Sequence, residues 1–278
     1  WPAARDAMAR REEQQRSFLL TGDSARRRGL PGAEEIPPGG AMILPLTTPL
    51  MISSAHPQTL ELAQRYFSPR GFQALPVGGG FVSGGAGGAS AARANEVIYG
   101  ARPEIKPGAA LGVVLLQGDL NLAAVGTVTF VNGDRLIAFG HPMMGEGEVD
   151  FPMTSAVIQG IMPLATAPFK IGEIYEIIGS MRQVRLPAVG GSLSYKTPMM
   201  PMRVRLDVPS VGEKREFNYE VLPHRDYGPY LSMLAWFDAV EAVDRFSGPT
   251  SIQSEMEIYL AGGRVLRRRD FISADSSS

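Results

Sequence analysis

The chemistry in this sequence centres on one histidine. The stretch TVTFVNGDRLIAFGHPMMGEGEVDFP, residues 127–152, carries His141, one of three histidines in 278 residues. A neutral imidazole titrates near pH 7 and can take a proton from a hydroxyl, so a histidine at the rim of a sheet suits a general base. The same residue could instead cap a strand end and bond to backbone. Asn132-Gly133 is a strong hairpin signal, bringing residues 125–131 alongside 134–140. Pro142 then ends the ladder, and Gly145 and Gly147 let the chain bend away, leaving the imidazole at a rim.

Other chemistries find less support. The chain has no cysteine, which removes disulfides, thiol nucleophiles and thiolate metal sites. His56, His141 and His224 are far apart and lack a spacing such as HExxH, so neither a metal nor another cofactor is expected. His56 precedes a proline at a helix start, and His224 lies in LPHRDYGP before another helix; both read as cap or loop residues. Glu146, Glu148 and Asp150 alternate and would share one face of an extended strand. A glycosidase or a calcium loop could use such a set, but nothing else in the sequence supports either. The stretch PVGGGFVSGGAGGASAA, residues 76–92, lacks the lysine of a phosphate-binding loop and reads as a flexible loop.

The elements that must position His141 follow from composition and pattern. With 44% hydrophobic and 20% charged residues the chain is globular. A formal net charge of -1 gives no general attraction to nucleic acid or acidic membranes. No apolar run approaches the roughly 18 residues needed to span a bilayer, so no integral membrane segment is expected. The 32 glycines and 22 prolines point to many short strands and turns. Residues 1–108 read as a connector or extended arm, with one short helix after Pro57 on which Leu60, Ala63 and Phe67 share a face. In MILPLTTPLMI, Pro45 and Pro49 forbid a helix and weaken any central strand. Residues 109–278 read as a β-domain of short apolar runs between turn signals. Within it, a buried helix is predicted at 229–245, begun by Pro229 and stopped by Ser247-Gly248-Pro249. Leu234 and Trp236 belong to its broad apolar surface, and Asp238, Glu241 and Arg245 form a narrow stripe expected to face water.

The stretch GDLNLAAVGTVTFVNGDRLIAFGHPMMGEGEVDFPMT, residues 118–154, resembles the histidine segment of the SpoIVB-type serine peptidases. The shared pattern is a Gly-Asp start, a Gly-Thr-Val-Thr strand, a Gly-Asp turn, Ala-Phe-Gly-His-Pro and a Val-Asp-x-Pro-Met tail. The resemblance continues through residues 168–204 and covers about residues 105–260 in all. It implies a bacterial protein, extracytoplasmic or in the cell envelope. The fold would be mainly β, a trypsin-like β-barrel-type domain with short helices, and the substrate a protein or peptide. His141 is then the catalytic histidine. Asp119 and Asp150 are two of the three aspartates of the segment, and either could orient the imidazole; both otherwise read as turn or cap residues.

The family's nucleophile lies in a Gly-x-Ser-Gly-Ser-Pro segment, which does not occur here. Ser247-Gly248 lacks the preceding glycine. Ser192 and Ser194, in GGSLSY, have the flexibility without the pattern and are the fallback nucleophiles. The chain opens on Trp1-Pro2, and residues 3–60 look like the stretch that separates serine and histidine segments in some relatives. The expectation is therefore the histidine half of a longer parent protein, inactive as an isolated chain. The competing expectation is a non-catalytic binding or scaffold module of the cell envelope on the same fold.

Overall fold

The computed structural model describes residues 48–54, 56–77, 103–140, 143, 147–162, 169–185, 187–209, 212–243 and 250–274. The arm before residue 48, the glycine-rich loop after residue 77 and the stop at 247–249 lie outside them. The described chain is mainly β, as expected, with twelve strands and two α-helices.

Six strands surround the segment that leads to His141. They are β3 (Ala110–Gly118), β4 (Leu122–Asn132), β5 (Arg135–Ala138), β6 (Gly147–Met162), β7 (Phe169–Arg185) and β8 (Ala188–Ser192). β3 is an unbroken apolar run because both of its faces are covered, whereas β5 alternates, with Leu136 and Ala138 inward and Arg135 and Ile137 outward. The pairings run β3–β4, β4–β5, β5–β8, β8–β7, β7–β6 and back from β6 to β3, every one antiparallel. The six strands thus close into a ring. Each sends at least one side chain into a common core, for example Val113, Val128, Leu136, Met153, Met181 and Val189.

The sheet branches beyond this ring at two places, from β4 and from β3. β1 (Thr48–Ile52), helix α1 (Pro57–Phe67) and β2 (Phe72–Pro76) form a strand–helix–strand unit whose two strands are parallel. β1 lies between β2 and β4, and its Leu50, Met51 and Ile52 are buried. Residues 48–76 are therefore built into the sheet and core, where the sequence reading placed them in an arm. Pro49 is tolerated because it lies just outside the stretch of β1 that pairs with β4. On α1 the fully buried positions are Thr59, Ala63 and Phe67, with Leu60 only partly buried against the core. Beyond β3, the hairpin of β9 (Met200–Val208) and β10 (Glu213–Val221) continues the sheet. Helix α2 (Gly228–Val243) packs against β9, β10 and α1. Leu234 is fully buried, and Trp236 is partly buried against the core. The rings of Tyr66 and Tyr230 stack between the helices, and the Tyr66 hydroxyl donates to the Asp226 carbonyl at 2.8 Å. A final hairpin, β11 (Thr250–Tyr259) and β12 (Val265–Ala274), forms a separate two-stranded sheet.

The polar stripe of α2 departs from expectation. Asp238 is buried rather than solvated, because the exit of β1 brings the Ser54 hydroxyl to its Oδ1 at 2.5 Å. One turn on, Glu241 Oε2 accepts the Thr59 backbone N–H at 2.9 Å and the Thr59 hydroxyl at 2.6 Å. Glu241 thereby caps the N-terminus of α1, whose own N-cap residue, His56, makes no side-chain cap. Arg245 lies outside the described residues.

Burial holds the Asp238 carboxyl above its usual range, opposed by the Ser54 hydrogen bond and by His56 and Thr59, and reinforced by Glu241. The stabilisation linked to a raised carboxyl is complete below the unfolded value of about 3.9 and is lost as pH rises through the folded one. Asp238→Asn keeps an acceptor for Ser54 and removes the ionisation. Its urea midpoint is expected to exceed the wild type's by an amount that grows as pH rises from the unfolded value through the folded one and then levels off, and the two should draw together toward pH 4. Midpoints measured at a series of pH values check this, and a constant difference at every pH would contradict it.

Candidate functional site

The β4–β5 hairpin delivers the chain to His141. Asn132 pairs with Arg135, so the tight turn is Gly133-Asp134, one residue later than the sequence signal. Gly133 has φ 60° and Asp134 is not left-handed, the pattern of a type II′ turn, which places glycine first. β5 ends at Ala138, and the next two residues both turn left-handed: Phe139 at φ 73° and Gly140 at φ 66°. Phe139 is the only non-glycine residue with positive φ among the described residues. Such a conformation costs roughly 1–2 kcal/mol and persists only where surrounding contacts enforce it.

Those contacts are visible. The Phe139 N–H donates to the Thr127 carbonyl at 2.9 Å, and the side chain is buried. Its ring lies over Gly126, where an added Cβ would come within 2.6 Å of ring atoms. Met143 is buried in the same core cluster. Two anchors four residues apart thus bracket His141 in the sequence. His141 and Pro142 themselves lie outside the described residues. Gly126→Ala should displace the Phe139 ring and cost about 1–3 kcal/mol, the usual range for overpacking. Urea denaturation checks this, and an unchanged midpoint would mean that Phe139 does not rest on residue 126.

The other candidate residues are dispersed. Asp150, near the start of β6, has its Oδ1 bonded by the Thr197 hydroxyl at 2.5 Å and its Oδ2 by the Tyr195 hydroxyl at 3.2 Å. Arg182 on β7 adds an ion pair at 3.0 Å. Asp119 clasps β10: its Oδ2 accepts the Asn218 N–H at 2.6 Å, and its own N–H donates to the Asn218 carbonyl at 3.1 Å. Ser192 and Ser194 both donate to Asp134 Oδ2, at 3.3 and 3.0 Å, and contact each other at 2.9 Å. They lie at the turn end of β5, where Ser192 pairs with Arg135. Ala138, at the end that leads to His141, pairs with Val189, three residues or roughly 10 Å further along the strand.

His224 Nδ1 accepts the backbone N–H groups of Asp226 and Tyr227 at 3.2 and 3.4 Å, as a cap before α2. Of the acidic set, Glu146 lies outside the described residues, and Glu148 pairs with Gln183 across the β6–β7 ladder. Among the described residues no group of three His, Asp or Glu side chains could hold a metal ion. The Ser54–Asp238 and Thr59–Glu241 contacts were not foreseen. The i, i+3 spacing of Asp238 and Glu241 marks one face of a helix but carries no sign of what covers it.

A mainly β protein, with a closed ring of six antiparallel strands and a strained left-handed exit toward a Gly-His-Pro block, is the class that fold and sequence define. Comparison with family models, curated proteins and solved structures yields no match.

Proposed function

We propose that this chain is the histidine-bearing part of a serine endopeptidase of the SpoIVB type, with His141 as general base on a serine supplied from outside the chain. The observation that carries the reading is the left-handed Phe139-Gly140 turn, seated on Gly126, at the exit of a strand in an antiparallel six-stranded ring. Backbone strain held by the core directly before a histidine is the kind of cost that functional sites retain. The ring also agrees with the trypsin-like barrel that the sequence resemblance implies.

In this reading the serine oxygen attacks the scissile carbonyl carbon while its proton passes to the His141 imidazole. The imidazolium then gives that proton to the amine nitrogen as the C–N bond breaks, leaving an acyl-serine that water hydrolyses by the same route. Asp150 is the better candidate for orienting the imidazole. It is half exposed and lies on the strand that follows the His141 segment, held there by Thr197, Tyr195 and Arg182, whereas Asp119 is tied to the β10 backbone. The substrate class is protein or peptide, and the proposed setting is the bacterial cell envelope. Among the described residues no helix is long and apolar enough to cross a membrane.

A second reading is a non-catalytic envelope module on the same fold. It draws support from the engagement of Ser192 and Ser194 with Asp134, and from the exposed β11–β12 hairpin. Fluorophosphonate labelling separates the two. The first requires His141-dependent labelling once this chain is joined to a segment bearing the family's Gly-x-Ser-Gly-Ser-Pro motif, and the second requires none.

A further inference from the structure

The β11–β12 hairpin is the most exposed apolar feature of the described chain. It carries seven of the thirteen exposed large hydrophobic side chains, and its substantial packing is of one strand on the other. A lone two-stranded hairpin is marginal in water unless something covers a face.

The register divides the charges of the hairpin between its two faces. One face carries the cross-strand ion pairs Glu255–Arg269 at 3.0 Å and Glu257–Arg267 at 2.7 Å between the exposed Phe271 at one end and Tyr259 and Val265 at the other, and its ionic middle suits solvent. The other carries four cross-strand pairs in order: Ile252/Ile272, Ser254/Asp270, Met256/Arg268 and Ile258/Leu266. Met256, Ile258, Leu266 and Ile272 on it are 40–53% exposed, and its only charges are Arg268 and Asp270, in contact at 2.7 Å. Apolar pairs thus occupy both ends, with one positive and one negative residue on either side of the middle. Such a face is its own complement. Consider a two-fold axis lying between two stacked hairpins, level with Glu255 and Arg269. It places Ile252 over Ile258 of a second copy, Ile272 over Leu266, and Asp270 over Arg268. Edge pairing is less favourable: a two-fold centred on Met256 sets Glu255 against Glu257 of the copy, one centred on Arg268 sets Arg267 against Arg269, and one centred on Arg269, which would also face Arg268 with Asp270, sets Arg269 against itself.

We propose that the chain self-associates through this face, as a two-fold dimer in which two β11–β12 hairpins stack. The proposal is independent of any catalytic role. Four cross-strand pairs make a face at or below the small end of specific interfaces, which bury about 800 Å² per partner, so dissociation on the order of micromolar is expected.

Sedimentation velocity of the full chain from about 1 to 100 µM should show a reversible monomer–dimer equilibrium. Arg268→Asp and Asp270→Arg, each alone, set like charges against each other across the axis and should weaken the dimer at least tenfold. Mixed in equal amounts they should form a heterodimer, because every facing charge is then opposite. The exchange Arg268→Asp/Asp270→Arg in one chain keeps both the internal and the facing pairs, and should dimerise like the wild type even if the single variants distort the hairpin. A wild type that stays monomeric would overturn the proposal, including one that instead cosediments with anionic vesicles. So would a dimer unmoved by the single variants, an open ladder of larger species, or an exchange variant that remains monomeric.

Discussion

Purified by itself, the chain is expected to leave casein intact and to take no fluorophosphonate label, whereas a longer polypeptide carrying a Gly-x-Ser-Gly-Ser-Pro segment should label. In that polypeptide His141→Ala should slow labelling and peptide hydrolysis by about 10⁴-fold or more, the scale seen when one member of a catalytic triad is removed. An imidazole alone has no hydroxyl to activate, and half a site lacks the oxyanion donors that supply much of the barrier reduction. The stability of His141→Ala should stay close to wild type, since the neighbouring anchors Phe139 and Met143 are untouched. Labelling of the isolated chain at a serine that disappears in His141→Ala would place the nucleophile inside it. Ser192 and Ser194 would then be the first positions to examine, and their shared Asp134 would have to release one of them.

Leu234→Ala should lower stability by about 2–5 kcal/mol, the range for emptying a fully packed leucine site. Leu234 has no exposed surface and lies in the main core cluster, on a helix bound on one side to β9 and β10 and on another to α1. The void cannot close easily, because the stacked Tyr66 and Tyr230 rings and the Thr59–Glu241 bonds hold the two helices at fixed separation. The measurement is the urea midpoint followed by far-ultraviolet circular dichroism. An unchanged midpoint would mean that α2 does not rest on the sheet as described.

The β4–β5 hairpin shows how far local pattern reaches. Short apolar runs on either side of an Asn-Gly signal were enough to predict two strands, a tight turn and a chain leaving the sheet just before His141. The turn itself came one residue later than expected. Asn-Gly suits a turn with both residues left-handed, whereas pairing Asn132 with Arg135 requires Gly133 first and Asp134 second. That choice depends on the register imposed by β3 and β8, which pair with the two strands from either side. The left-handed Phe139 was beyond prediction for a similar reason. It needs the open space over Gly126, thirteen residues earlier and on the neighbouring strand.

Periodicity and breakers act within a few residues, so they settle that the chain is mainly β and that α2 begins around Pro229. Contacts between distant segments decide the rest. Ring closure depends on β6 returning to β3. The place of β1 depends on an unpaired stretch of β4's edge, which turned an expected arm into core. Asp238 can be buried only because Ser54, 184 positions away, donates to its carboxylate. A charged residue on a helix reads as solvent-facing until its partner is known, since burying a carboxylate is unfavourable without a donor and tolerable with one.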